Sequence, residues 1–232
     1  MTIAAGYVCT NGLVLCADTK MTSTVRSSGQ KAWYRHDGDS SIALVGAGSA
    51  ILIRLIRNRL FERISPDTNL RDAETLIEQT LRSVYEDHID KDLEKNLDVA
   101  ILVGMRHKRE CKLFEHDRTA VADVDSFASI GSGGGIADYL SVALFERSTV
   151  LATSSFASYV LQQCKRFAPN CGGESHIVLI PRDGVTELST QSRIDYSEKA
   201  VADAFATVRH ALKTQSLEAT MTEAIISSEH SA

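Results

Sequence analysis

Strands, two helices, strands, two helices and strands again follow one another along the chain. That order predicts an α+β fold of antiparallel sheets with helices stacked in pairs on their outer faces. Two observations carry the reading. Thr10-Asn11-Gly12 separates two apolar stretches, Thr2–Cys9 and Leu13–Asp18, and Asn-Gly readily supplies the positive φ of a tight hairpin turn. The apolar period then changes: Ile51, Leu52, Leu55, Ile56, Leu60 and Phe61 recur at helical spacing, and extended runs return only near Asp98.

In order along the chain, a third extended stretch, Lys31–His36, turns at His36-Asp37-Gly38-Asp39 into a strand over Ser41–Val45. The first helix covers Ala50–Arg63. Pro66-Asp67-Thr68-Asn69 starts a second, Leu70–Asp90, because Asn and Asp are good helix caps. Strands resume over Asp98–Met105, Cys111–His116 and Phe127–Ile130, and helices follow over Ile136–Glu146 and Thr153–Phe167. Strands Ser175–Ile180 and Val185–Leu188, about an Asp183-Gly184 turn, precede a polar helical tail from about 197. No repeat, linker or low-complexity stretch interrupts them, so residues 1–232 read as a single domain, a length that can enclose a large core.

Composition narrows the function. The balance of 25 basic and 30 acidic residues gives a net charge of −5, and no Lys/Arg run interleaved with aromatics appears, which argues against nucleic acid as a partner. The apolar stretch Ala43–Ile56 is interrupted by Arg54, so no membrane span is expected. The start has neither a charged nor an apolar leader region, which makes the expected location cytoplasmic. Five cysteines (Cys9, Cys16, Cys111, Cys164, Cys171) form no C-x-x-C pair; they read as reduced buried thiols, and no cofactor or metal is called for.

The chain begins Met1-Thr2. An initiator Met before so small a residue is normally trimmed, leaving one residue with both a hydroxyl and a free α-amine, a nucleophile beside its own base. Further on stand Asp18-Thr19-Lys20-Met21-Thr22, Lys31, the turn Val45-Gly46-Ala47-Gly48-Ser49-Ala50 opening a helix, Ile130-Gly131-Ser132-Gly133-Gly134 and Gly172-Gly173. This ordered set, spanning roughly Thr2 to Leu188, resembles proteasome β-type subunits, including the HslV-like bacterial proteasome-related N-terminal threonine hydrolases.

The resemblance implies a four-layer α-β-β-α sandwich, the N-terminal nucleophile hydrolase fold, and a threonine-type endopeptidase acting through Thr2 after Met1 removal. By the same carry-over, Lys31 sits near the Thr2 hydroxyl, where a fixed cation lowers the cost of a developing alkoxide. Asp18 pairs with Lys31, the Gly48 amide contributes to the oxyanion hole, and Ser132 hydrogen-bonds the amine terminus. Met21, Lys31, Trp33, Gly46, Ala50 and Arg54 line the pocket for the substrate side chain, with Gly46 leaving a deep floor. Implied partners are polypeptide substrates, copies of the chain in a homo-oligomeric ring, and an ATP-dependent unfoldase. Apolar residues on more than one face of the first helix (Leu52, Ile53, Leu55, Ile56) suggest burial against neighbouring subunits.

Two departures stand out. His36–Asp39 reads as an insertion between Lys31 and Gly48, and Ala168 and Cys171 occupy positions where the proteasome pattern has Asp and Ser. The Ala168 departure removes a second carboxylate from beside the amine. Cys171 and His176 as a thiol pair read as incidental. Two alternatives therefore stay open: a catalytically silent ring or scaffold subunit, and an N-terminal nucleophile amidase acting on a small amide.

Overall fold

The computed structural model describes residues 2–22, 26–89, 99–189 and, beyond them, 191, 193–197, 199–200, 203 and 206; for 21, 22, 26–28 and 89 it describes the backbone alone. Met1 and most of the expected C-terminal tail lie outside the described residues, although those described from 191 onward are helical. Two five-stranded antiparallel sheets form the frame. The first has the spatial order β10 (Phe127–Gly131), β1 (Ile3–Cys9), β2 (Gly12–Asp18), β11 (Ser175–Pro181) and β12 (Glu187–Leu188). The second runs β5 (Ala32–Asp37), β6 (Ser40–Gly48), β7 (Val99–His107), β8 (Glu110–Asp117) and β9 (Ala120–Asp123). A two-stranded ribbon, β3 (Lys20–Thr22) with β4 (Arg26–Ser28), links them along the chain.

Helices α1 (Ala50–Arg63) and α2 (Leu70–Val84) precede β7, and α3 (Gly134–Leu144) and α4 (Val150–Phe167) precede β11. The Asn69 carboxamide caps α2 by accepting from the amides of Arg71 and Asp72 at 3.0 and 2.9 Å, and Thr149 caps α4, satisfying donors that a helix start leaves open. α2 is shorter than its periodicity predicts, ending in a π-helical turn at Tyr85–Ile89.

Strand alternation sorts the apolar residues into three clusters. Leu13, Leu15 and Ala17 of β2 meet Ala43 and Val45 of β6, Leu102 and Leu113 between the two sheets. The opposite face of β2, Val14 and Cys16, packs with Ala157, Val160, Leu161 and Cys164 of α4. Ile42 and Leu44 of β6 pack with Leu52, Ile53 and Ile56 of α1 and Ile77 and Leu81 of α2. Each of these large side chains, once fully buried, contributes about 1.5–3 kcal/mol.

That third cluster corrects the expectation of subunit contacts through α1. Leu52, Ile53 and Ile56 are buried within the chain itself, and of the first turn only Ile51 faces outward. A helix held between a sheet and a neighbouring helix needs two apolar faces without any partner subunit. Helices α3 and α4 also carry exposed large apolar residues, at Tyr139, Val142, Leu144 and Leu151.

The predicted hairpin forms with a division of labour. Gly12 carries the unusual backbone, at φ +150, and a Cβ there would stand 2.1 Å from the Ile180 carbonyl. Asn11 ties other elements together: its Oδ1 accepts from the Val150 amide at 2.8 Å and its carbonyl from the Arg182 amide at 2.7 Å.

Candidate active site

Thr2 immediately precedes β1 and Asp18 ends β2. Because Ala4 pairs with Ala17 in the antiparallel register, the start of one strand lies beside the end of the other. The Ile3 amide donates to Asp18 Oδ1 at 3.3 Å, and the Thr2 hydroxyl donates to the same oxygen. Lys31 immediately precedes β5, the edge strand of the second sheet, and its ammonium donates to Asp18 Oδ1 at 2.8 Å, to Thr2 Oγ1 and to the Lys20 carbonyl. Asp18 Oδ2 accepts the Gly172 amide at 2.8 Å. Thr2, Asp18 and Lys31 are therefore brought together, with relative exposures of 2%, 0% and 8%.

A carboxylate so enclosed would be costly unless its lone pairs were filled. Four donors reach Asp18. Burial, the largest influence on Lys31, lowers its pKa from the usual lysine value, and the Asp18 hydrogen bond and charge oppose that shift. The ammonium is thus held by its partner against a site that disfavours charge. A cation donating to a hydroxyl oxygen can stabilise negative charge on that oxygen.

The Thr2 carbonyl is held from the other side. The Gly133 amide reaches it at 3.3 Å and the Ser132 hydroxyl at 3.4 Å. Gly131 has φ +91, and a Cβ there would stand 2.3 Å from the Thr2 oxygen, so only glycine allows the turn to approach so closely. The bond recorded for Ser132 goes to this carbonyl, where the resemblance implied the amine. Gly48 ends β6 at φ +103, exposed, in register with Val99. It lies at the Lys31 end of the sheet, since the Gly46 amide donates to the Lys31 carbonyl at 3.3 Å.

The implied substrate pocket comes together differently. The Met21 side chain lies outside the described residues. Trp33 is half-buried on β5 with the Arg57 guanidinium 5.5 Å from its ring. Ala50 is half-buried at the first turn of α1, and Arg54 is exposed. The deep floor expected at Gly46 is absent, because a Cβ there would meet the Ile53 side chain at 2.8 Å; α1 already occupies that space.

Ala168 ends α4 and is buried. Cys171 is buried against Gly133, and burial, helped by the nearby Asp18 charge, raises its thiol pKa, which keeps it protonated and weakly nucleophilic. No hydrogen bond joins Cys171 to His176 among the described residues. Sequence reasoning noted Gly172-Gly173 as a motif without assigning it a task. Its turn delivers the Gly172 amide to Asp18, while Lys20 Nζ ties the same turn through the Pro169 and Cys171 carbonyls at 2.9 and 3.4 Å. Thr19 was also overlooked; its hydroxyl accepts the Glu174 amide at 2.8 Å.

No helix of the described residues is long and apolar enough to cross a membrane. No family model matches the chain, and no curated protein does. Solved structures do. Anbu (ancestral beta-subunit) from Yersinia bercovieri superposes with a TM-score of 0.75 at 16% identity, covering 90% of this chain and 97% of that one. A helical assembly of the Anbu complex from Pseudomonas aeruginosa gives 0.73 at 15%, covering 90% and 96%. Anbu from Hyphomicrobium sp. strain MC1 gives 0.71 at 14%, covering 90% and 97%. At these identities the likeness establishes the fold. It also corrects the HslV-like assignment: these structural neighbours are Anbu proteins, proteasome-like but distinct, and no family model or curated protein supports an HslV-like hydrolase.

Proposed function

We propose that the chain is a self-assembling, proteasome-like subunit of the Anbu kind, a single domain folded as a four-layer α-β-β-α sandwich. We further propose that its Thr2 centre, once Met1 is removed, hydrolyses amide bonds in polypeptides. The observation that carries the chemistry is Lys31 donating to both Thr2 Oγ1 and Asp18 at a buried strand start. Assembly is supported by the Anbu likeness, by the helical assembly described for the Pseudomonas aeruginosa protein, and by the exposed apolar residues of α3 and α4, Tyr139 at 73% and Val142 at 78%.

In the proposed reaction the freed Thr2 amine takes the hydroxyl proton while the Lys31 ammonium stabilises the alkoxide. The oxygen bonds the substrate carbonyl carbon, and the oxyanion so formed is directed toward the Gly48 amide. Collapse breaks the C–N bond, with the proton returned from the Thr2 ammonium to the leaving amine, and leaves a threonine ester. Water, deprotonated by the same amine, then attacks the ester and releases the acid and the original hydroxyl. Asp18 keeps Lys31 in place and stays ionised.

A second reading, a ring or scaffold subunit without turnover, is favoured by the burial of Thr2, by Ala168 in place of a carboxylate, and by the helical assembly described for the Pseudomonas aeruginosa protein. The comparisons support the assembled subunit better than the peptidase. One set of measurements separates the two: intact mass of the purified protein, particle size by light scattering, and labelling with a β-lactone. A large particle lacking Met1 and labelled at Thr2 supports the hydrolase. A large particle that is never labelled leaves the scaffold, and a monomer removes both.

A further inference from the structure

At the end of the sheets opposite Thr2, three turns surround a cavity of about 580 Å³. They are Gly38-Asp39 between β5 and β6, Lys108-Arg109 between β7 and β8, and 182–185 after β11. Their position follows from the register: Ser175 pairs with Asp18 at the threonine end, whereas Pro181 pairs with Gly12, the far end of β2.

Arg106 forms the cavity's inner wall. It is 2% exposed, and its guanidinium donates to backbone carbonyls at the end of β11 and in two of the turns: Pro181 at 3.0 Å, Gly38 at 2.9 Å, and Gly184. A second neighbour is the His36 ring, at 3.4 Å. No ion pair with a carboxylate is recorded for it, and its buried Nε has no hydrogen-bond partner among the described residues. Among the described residues the hydrogen-bond partners of the guanidinium are therefore neutral groups. Lys108, Arg109 and Arg182 add three exposed cations to the rim, against the carboxylates of Asp39 and Asp183. Arg109 already meets Asp183 at 2.9 Å, but both are largely exposed, so that pair is weak and easily exchanged. In a chain of net charge −5, this is a local excess of positive charge around a concave, partly walled space.

We infer that this cavity binds a compact polyanion bearing two or more phosphate or carboxylate groups. The volume exceeds what one phosphate fills. Several separated cations favour several charged oxygens, and guanidinium groups suit both phosphate and carboxylate. A nucleotide is disfavoured: Val185 is the one aliphatic side chain on the lining, the His36 ring is already bonded to Ser41, and no Phe, Tyr or Trp offers a base a stacking platform. The inference concerns a site remote from Thr2 and does not depend on hydrolysis there.

The test is calorimetric titration of the full-length protein with inorganic tripolyphosphate, and separately with citrate, at constant ionic strength. Saturable one-to-one binding per chain is expected, weakened at least tenfold by Arg182→Glu combined with Lys108→Asn. Both positions are exposed, and Asn tolerates the φ of +56 found at Lys108. Arg166→Glu, a charge reversal of the same kind as Arg182→Glu but at the far end of α4, should leave the affinity within twofold. Tighter tripolyphosphate binding identifies a phosphate ligand and tighter citrate binding a carboxylate. Absence of saturation with both anions, an unchanged double variant, or an equal loss in Arg166→Glu overturns the site.

Discussion

Each end of the paired sheets encloses one cation, and the two are held in opposite ways. Lys31 is buried with a carboxylate, Asp18, and donates to a hydroxyl. Arg106 is buried among carbonyl oxygens with no carboxylate ion pair recorded. The residue types suit the surroundings. A lysine can release its proton when burial presses on it, so its charge is conditional, whereas an arginine stays charged in any protein setting. The first end thus holds a charge that rising pH can remove, and the second a permanent one.

Removing Lys31 should have the largest effect. Lys31→Ala is expected to slow single-turnover acylation of Thr2 by a β-lactone at least about a hundredfold, the loss of a charge stabilising the alkoxide. It should also destabilise the fold by about 3–5 kcal/mol, since Asp18 is left buried and unpaired, so urea denaturation must accompany the kinetics. Cys171→Ala is the contrast, with acylation within twofold of the parent. If the cysteine variant were dead and Lys31→Ala active, Thr2 would not be the nucleophile.

Arg106→Met tests the other end. It strips donors from three carbonyls at once and should cost about 3 kcal/mol in urea denaturation, at one to a few kcal/mol for such buried groups, with Thr2 acylation unchanged in the folded fraction. Equal loss of acylation would mean that the two ends do not act separately.

The smallest effect is in pH dependence. Burial lowers the Lys31 pKa, opposed by Asp18, while Lys20 adds to the lowering and Cys171 resists it. The alkaline limb of acylation should therefore fall below pH 10.5, the ordinary lysine value, as the ammonium is lost. Stability moves the other way. Between the folded pKa and the unfolded one the unfolded chain binds more protons, so this group's contribution to stability rises with pH. Lys31→Arg should abolish that limb, and a limb surviving in Lys31→Arg would assign it elsewhere.

What was readable in the sequence follows from local rules. Asn69 marks a helix start because caps are short-range, and Thr2 meets Asp18 because a two-residue turn fixes the register; the Thr149 cap, which starts α4 ahead of the expected Thr153, was not read. What was not readable depends on contacts between distant segments. Ile53 fills the space beside Gly46 only because α1 lies back across β6, and α1's second apolar face meets α2 where a neighbouring subunit was expected. The short strands β3, β4 and β9 carry too few residues for a period to emerge. Arg106 sits at the polar end of β7 and reads as a surface residue until three turns close over it. The likeness to HslV-type peptidases rested on Thr2, Asp18, Lys31 and a few short glycine turns, too small a set to separate those peptidases from Anbu proteins.

The wiring of Asp18 bears on when, during synthesis, the surroundings of Thr2 become complete. Its donors lie 13 to 16 residues away along the chain, except for Gly172, which is 154 away. Such distant closures are slow, because loop entropy must be overcome before the contact rewards it. During synthesis the first sheet cannot finish until β11 has emerged, and Gly172 arrives just before it. The Gly172 amide is therefore the last donor to reach Asp18, and on the proposed reading a half-made chain carries a threonine whose centre is still incomplete.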